Sequence, residues 1–192
     1  MKGFFERFIG WIKKNNKNSP PGSNFQITNW THKNTFVVGG LHNVGFAPQQ
    51  DLLIVLSSQG QGIFDCLKGE KVARLHNDLD WWDSFNEETS SIIGFDCLAN
   101  IEIPTSGFEG AEDNLPKKTS DGWTLTISVP EPDDKPFEKY LVQKIYLVSP
   151  NKKEKIFIKK DGPCELRAYG FSETDNSFIV ALSCDLTIYS RT

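Results

Sequence analysis

The densest set of chemically useful groups lies between residues 77 and 91, Asn-Asp-Leu-Asp-Trp-Trp-Asp-Ser-Phe-Asn-Glu-Glu-Thr-Ser-Ser. There five acids stand, without a base, around two tryptophans and a phenylalanine. Tryptophan is enriched among the side chains that carry interface binding energy, and surrounding carboxylates steer a cationic partner toward it. Asp78, Asp80, Trp81, Trp82, Asp83, Glu87 and Glu88 are therefore candidate partner-binding residues. The competing reading makes Trp81, Trp82 and Phe85 a core plug and leaves the acids to water. Two other polar segments add Glu109, Glu112 and Asp113, also candidate binding residues, and Glu131, Asp133 and Asp134. In all, eleven of the 25 acidic residues fall in three loops. Loops of this kind, gathered on one edge, make a negative patch suited to a basic protein; scattered, they are solvated connections.

Other chemistry has little support. The 77–91 segment is not a calcium loop, because the position that should carry the closing Glu is Thr89 and no turn glycine precedes it. His32, His42 and His76 stand outside any H-x-H, H-E-x-x-H or G-x-S-x-G context, and no glycine-rich phosphate loop opens a helix. Cys66, Cys97, Cys164 and Cys184 form no C-x-x-C pair, so a metal site is not expected, and neither is a cofactor. A chain of 192 residues builds a core without disulfides, so the cysteines read as buried free thiols. A net charge of −4 argues against nucleic acid, whose phosphates need clustered cations. No signal peptide is legible, and the expected setting is cytoplasmic.

The elements that would position these groups are announced by a repeat. Residues 44–64 occur again, without a gap, at 169–189: a shift of 125 places Gly45 on Gly170, Phe46 on Phe171, Ile54 on Ile179, Val55 on Val180, Ser58 on Ser183 and Ile63 on Ile188. Phe64 falls on Tyr189. An apolar strand, a polar turn and a second strand copied in this way form one supersecondary unit that needs neighbours to bury its face. Fourteen Phe, five Trp and four Tyr against one Met also favour sheets over a helical bundle. In the first copy, Val44–Ala47, Leu52–Leu56, Ile63–Phe64 and Lys71–Leu75 alternate with turns as a four-stranded antiparallel meander.

The run Gly-Phe-Ala-Pro-Gln-Gln-Asp-Leu-Leu-Ile-Val-Leu-Ser-Ser, then Gly-Ile-Phe-Asp, then Lys-Gly-Glu-Lys-Val, with Gly40 and His42 upstream, resembles a blade of the WD40 and related β-propeller families. The resemblance covers about a third of the chain. It implies an all-β fold of about three four-stranded antiparallel propeller-like blades, the middle one starting at Gly94-Phe95 and ending in the hairpin 140–159. The last copy is then a strand short. Phe25–Trp30 or Thr35–Val38 is expected to pair beside Leu186–Tyr189, unless a homodimer closes the edge.

Ahead of this domain, residues 1–14 read as a short amphipathic helix with Phe4, Phe5, Phe8 and Trp11 on its apolar side, tethered through a linker at 15–24 to the β domain at 25–192. It is too short to span a bilayer, but it suits either peripheral membrane contact or docking on the domain. The sequence thus points to a non-catalytic binding module recognising a protein partner, of a size and charge that would suit an immunity or inhibitor protein for a basic toxin. The alternatives are a hydrolase-type enzyme with its site at the mouth of the blade arc, and a membrane adaptor acting through residues 2–14.

Overall fold

A computed structural model describes residues 26–27, 29–75, 81–107, 114–128 and 142–191. The proposed N-terminal helix and linker lie outside them. The described chain is all-β, in antiparallel sheets. Its strands are β1 (Gln26–Ile27), β2 (Trp30–Val37), β3 (Leu41–Phe46), β4 (Leu52–Ser57), β5 (Gly60–Asp65), β6 (Glu70–Leu75), β7 (Phe85–Asn86) and β8 (Ser91–Ile93). They continue as β9 (Glu102–Pro104), β10 (Ser106–Gly107), β11 (Thr124–Ser128), β12 (Lys144–Val148), β13 (Lys155–Lys160), β14 (Leu166–Phe171), β15 (Ser177–Leu182) and β16 (Asp185–Arg191).

The repeat is real to the level of register. The first copy is β3-β4-β5 and the second β14-β15-β16, each bounded at positions 125 apart except that β16 runs one residue further. Val44 pairs with Val55 and Tyr169 with Val180; Phe46 pairs with Leu53 and Phe171 with Phe178. Irregularities recur as well, between Leu41 and Asn43 in one copy and between Leu166 and Ala168 in the other. Turn hydrogen bonds repeat too, Ala47 N donating to Leu52 O at 2.9 Å and Ser172 N to Ser177 O at 2.9 Å. Matched apolar runs between matched turns explain this: both faces of β4 and β15 are buried, and a one-residue slip would exchange the side chains around which the two faces pack. Phe46, Ile54, Val55, Phe171, Ile179 and Val180 are all buried.

The fourth strand of each unit comes from a different part of the chain. β6 follows β5 directly, whereas β16 is joined by β2, with Thr187 opposite Thr35 and Arg191 opposite Trp30. The expected pairing of the 25–38 segment with the last strand is therefore present. It does not close a ring.

The propeller resemblance is corrected by the sheets themselves. Among the described residues four separate sheets form, of five, five, three and three strands, and none is closed or propeller-like. No middle blade runs from Gly94 to the 155–160 hairpin. After Gly94-Phe95 the chain makes a 3₁₀ turn at Asp96–Leu98, with Asp96 at φ 50° and Asn100 at φ 66°, and returns at once as β9. Left-handed residues end a strand and cannot continue it. The segment splits instead into a small sheet, β7-β8-β9, and a distant one, β11-β12-β13.

Packing places these sheets in sequence. One face of the first copy, through Ala47, Ile54, Leu56 and Ile63, meets Trp81, Phe85, Ile92 and Ile103 around β7-β8-β9. Its other face, through Val44, Phe46, Val55 and Phe64, meets Ala168, Ile179, Ala181 and Ile188 of the second copy. The far face of the second copy, through Phe171, Phe178, Val180 and Tyr189, receives Trp123, Leu125, Ile145 and Ile158 of β11-β12-β13. Each copy thus offers equivalent faces to different neighbours.

The repeated glycines have a packing reason. A Cβ on Gly45 would lie 2.2 Å from the Pro104 carbonyl oxygen, and one on Gly170 would lie 2.4 Å from Leu115 Cβ. β10 hydrogen-bonds along β3, while Phe171 N donates to Pro116 O at 2.8 Å. The backbone on either side of residues 108–113 is pressed against the first strand of both copies, closer than any side chain permits.

The reading of all four cysteines as free thiols is also corrected. Cys164 and Cys184 form a disulfide, their Cα atoms 5.8 Å apart, because the β15–β16 turn and the approach to β14 bring them together. Cys66 is a buried thiol, its pKa pushed well up by burial and then by the Asp51 and Asp65 charges; Cys97 is free and exposed.

Candidate functional site

The acidic aromatic segment divides between core and surface. A 3₁₀ turn at Trp81–Ser84 leads into β7. Trp81 is buried and its Nε1 donates to Ser57 O at 2.9 Å, which ties the turn to the first copy. Phe85 is buried edge-on to Trp81 at 5.7 Å. These two rings are the seam plug of the competing reading. Trp82 behaves differently: half-buried, it stacks on Trp81 at 4.0 Å with planes 24° apart, and His42 approaches its edge at 5.7 Å. A buried indole thus holds a partly exposed one in place.

The acids that follow it in the chain face solvent. Asp83, Glu87 and Glu88 are exposed. The turn carrying the two glutamates is ordered by Asn86, whose Oδ1 accepts from Glu88 N at 3.0 Å and Thr89 N at 3.3 Å. Exposed Glu102 joins them through hydroxyls, accepting from Ser91 Oγ at 2.6 Å, while Ser91 Oγ lies 2.7 Å from Thr89 Oγ1. Nothing in the sequence marked Glu102, because the β8–β9 pairing alone brings it there. Asp78, Asp80, Glu109, Glu112 and Asp113 lie outside the described residues, as do Phe4, Phe5, Phe8 and Trp11.

A second polar cluster, missed in the sequence, sits where the second copy meets β13. Lys159 Nζ donates to Asp185 Oδ1 and, at 2.6 Å, to Thr187 Oγ1. Thr35 Oγ1 donates to Thr187 Oγ1 at 3.3 Å, and His32 Nε2 lies 3.0 Å from Thr35 Oγ1. Burial, and secondarily the Lys159 charge, hold the His32 pKa below its ordinary value. A cation with an acid and hydroxyls around it is a satisfied structural network, and His32 in it has no carboxylate to orient it as a base. Among the described residues no three His, Cys, Asp or Glu side chains converge as a metal site, and no helix is long and apolar enough to cross a membrane.

Comparison with protein-family models, curated proteins and solved structures finds no match among any of the three. The WD40 resemblance therefore lacks a family to support it, as well as the blades it implied.

Proposed function

We propose that this chain is a non-catalytic binding protein that recognises a basic protein partner through the surface formed by Trp82, Asp83, Glu87 and Glu88. The observation that carries the reading is the stacking of half-buried Trp82 on buried Trp81. An aromatic already fixed in its bound orientation loses little entropy on association, and exposed carboxylates beside it add steering and selectivity for a cationic surface. The immunity or inhibitor form of this proposal adds that the partner is a basic toxin whose action is masked. Its cytoplasmic setting would require Cys164 and Cys184 to serve as two thiols, since a lasting disulfide belongs to an oxidising compartment.

The test compares the wild-type chain with a variant carrying Trp82→Ala, Asp83→Lys, Glu87→Lys and Glu88→Lys, after thermal melting shows that both fold. Each is immobilised and exposed to extract of the native host at low and high salt. The expected result is a basic protein retained by the wild type, released by salt and absent from the variant. Equal retention on both, or a partner without a basic surface, would overturn the proposal.

A further inference from the structure

Between the first copy and the end of β2 lies an open cavity of about 60 Å³. Val37 and Val38, from β2 and its exit, and Val55 and Phe64, from the first copy, give it an apolar patch; Ser57, Gln59 and Gln61 line the rest with polar groups, and exposed Lys71 and Arg74 of β6 place two cations at its rim. It lies on the face of the first copy opposite Trp81, so it is separate from the acidic surface.

The equivalent place in the second copy shows what is unusual about it. Gly60 and Gly62 correspond to Asp185 and Thr187. Lys71 stands opposite Phe64 as His32 stands opposite Tyr189, and Arg74 stands opposite Gly62 as Thr35 stands opposite Thr187. In the second copy these positions form the satisfied network, with Lys159 arriving from the next sheet to meet Asp185. In the first copy there is no acid and no side chain at the two glycines. The two cations have no ion-pair partner among the described residues; Lys71 Nζ lies 5.2 Å above the Phe64 ring. Burial and then the Arg74 charge lower the Lys71 pKa, the sign of two cations that a neighbouring anion would relieve.

We propose that this cavity binds a small carboxylate bearing an apolar group, its carboxylate between Lys71 and Arg74 and its apolar end against Val38, Val55 and Phe64. Lys71 and Arg74 are exposed, and the planar fork of Arg74 can still take a carboxylate through two parallel hydrogen bonds with Lys71 adding a second positive charge. The patch of Val38, Val55 and Phe64 gives a hydrocarbon end contacts that inorganic phosphate, all of whose oxygens need donors, does not use. The volume holds about four water-sized groups, enough for a carboxylate and the first carbons of its chain. Val37 is 89% exposed, so the cavity opens to solvent and the rest of a longer ligand can continue outward. Two sources supply this chemistry: a free aliphatic acid, or the C-terminal residue of a polypeptide.

The full chain, labelled with nitrogen-15, is titrated separately with 4-methylpentanoate, N-acetyl-L-leucine, N-acetyl-L-leucinamide and inorganic phosphate while the Gly60 and Gly62 amides are followed by NMR. Both carboxylates are expected to shift these amides saturably, and the amide and phosphate to bind at least about tenfold more weakly. Tighter binding of N-acetyl-L-leucine assigns the site to polypeptide C-termini; tighter binding of 4-methylpentanoate assigns it to free acids. Lys71→Gln with Arg74→Gln should weaken binding by at least about tenfold. Gly62→Thr, which imports the residue of the second copy, should abolish binding while the chain still melts cooperatively. Phosphate or the leucinamide binding as well as the carboxylates, no saturable shift with any of the four, or unchanged binding by the folded variants would overturn the proposal.

Discussion

The two copies of the repeat agree in strand bounds, register, irregularities and turn hydrogen bonds, yet differ in everything their side chains do beyond the core. Matched apolar runs and a glycine under the crossing backbone specify the strands and leave the rest free to diverge. The second copy has become structural: Asp185, Thr187 and Lys159 satisfy one another, a disulfide closes its turn, and β2 covers its last strand. The first copy keeps open space. Gly39 and Gln59 occupy the positions of the two cysteines, and Gly60 and Gly62 those of Asp185 and Thr187. Where one copy invests in internal contacts, the other retains surfaces that can meet a ligand.

Removing β2 should break the comparison most completely. A 39–192 fragment loses Trp30, buried among Phe171, Phe178 and Trp123, and exposes the whole edge of β16. It is expected to be unfolded or aggregated by circular dichroism. A fragment melting like the full chain would show that the second copy does not need its borrowed strand.

Next come the paired phenylalanines. Phe171→Ala and Phe46→Ala should each cost about 3–5 kcal/mol in urea unfolding, because both are large buried rings. The larger loss is expected at Phe171, which packs against two other rings, Trp30 and Phe178. A larger loss at Phe46 would mean that the first copy, not the second, holds the tighter core.

The disulfide should follow. Replacing Cys164 and Cys184 by Ser reopens a 20-residue separation and should cost about 3 kcal/mol, the stabilisation expected for a loop of that size. Unfolding curves with and without reductant measure it. Identical curves would show that the second copy gains nothing from the bond that distinguishes it from the first.

The smallest effect concerns protons. Burial and Lys159 depress the His32 pKa from 6.5, so the unfolded chain takes up a proton there more readily than the folded one. That contribution to stability is complete above pH 6.5 and is lost as pH falls from there through the folded value. The melting temperature should therefore fall on acidification in this window, and less so in His32→Gln. An identical decline in the variant would locate the titration elsewhere.

Much of this architecture was legible in the sequence, for particular reasons. The 125-residue shift exposed the copied unit because Gly45, Phe46, Ile54 and Val55 recur where backbone crossing and core burial both constrain them. The 25–38 segment could be assigned to the last strand since its apolar character had no other destination. The ordering of the sheets could not be read, as it depends on which faces meet and not on where strands fall. The middle of the chain misled because Gly94-Phe95 repeats the signature without the strand; Asp96 and Asn100 adopt left-handed conformations that composition does not announce. Trp81 and Trp82, adjacent and alike in sequence, part into plug and surface only once Trp81 finds Ser57. The Lys159 network was not visible, because register joins residues far apart in the chain; Lys71 and Arg74, three apart on one strand, share a face only through the irregularity opposite Ile63 and Phe64.

The central claim is that both copies have one backbone geometry and differ in how the space beside the third strand is filled. The most direct test exchanges that residue between them, measuring unfolding free energy for Gly62→Thr and Thr187→Gly. In the first, the new Cβ lies 3.1 Å from the edge of the Phe64 ring, which must shift by a few tenths of an ångström, while a β-branched residue replaces glycine in a strand, so the change should be neutral or stabilising by up to about 1 kcal/mol. In the second, a buried strand residue and an acceptor for Lys159 are lost together, and the cost should be about 2–4 kcal/mol. A destabilised Gly62→Thr alongside a tolerated Thr187→Gly would contradict the account.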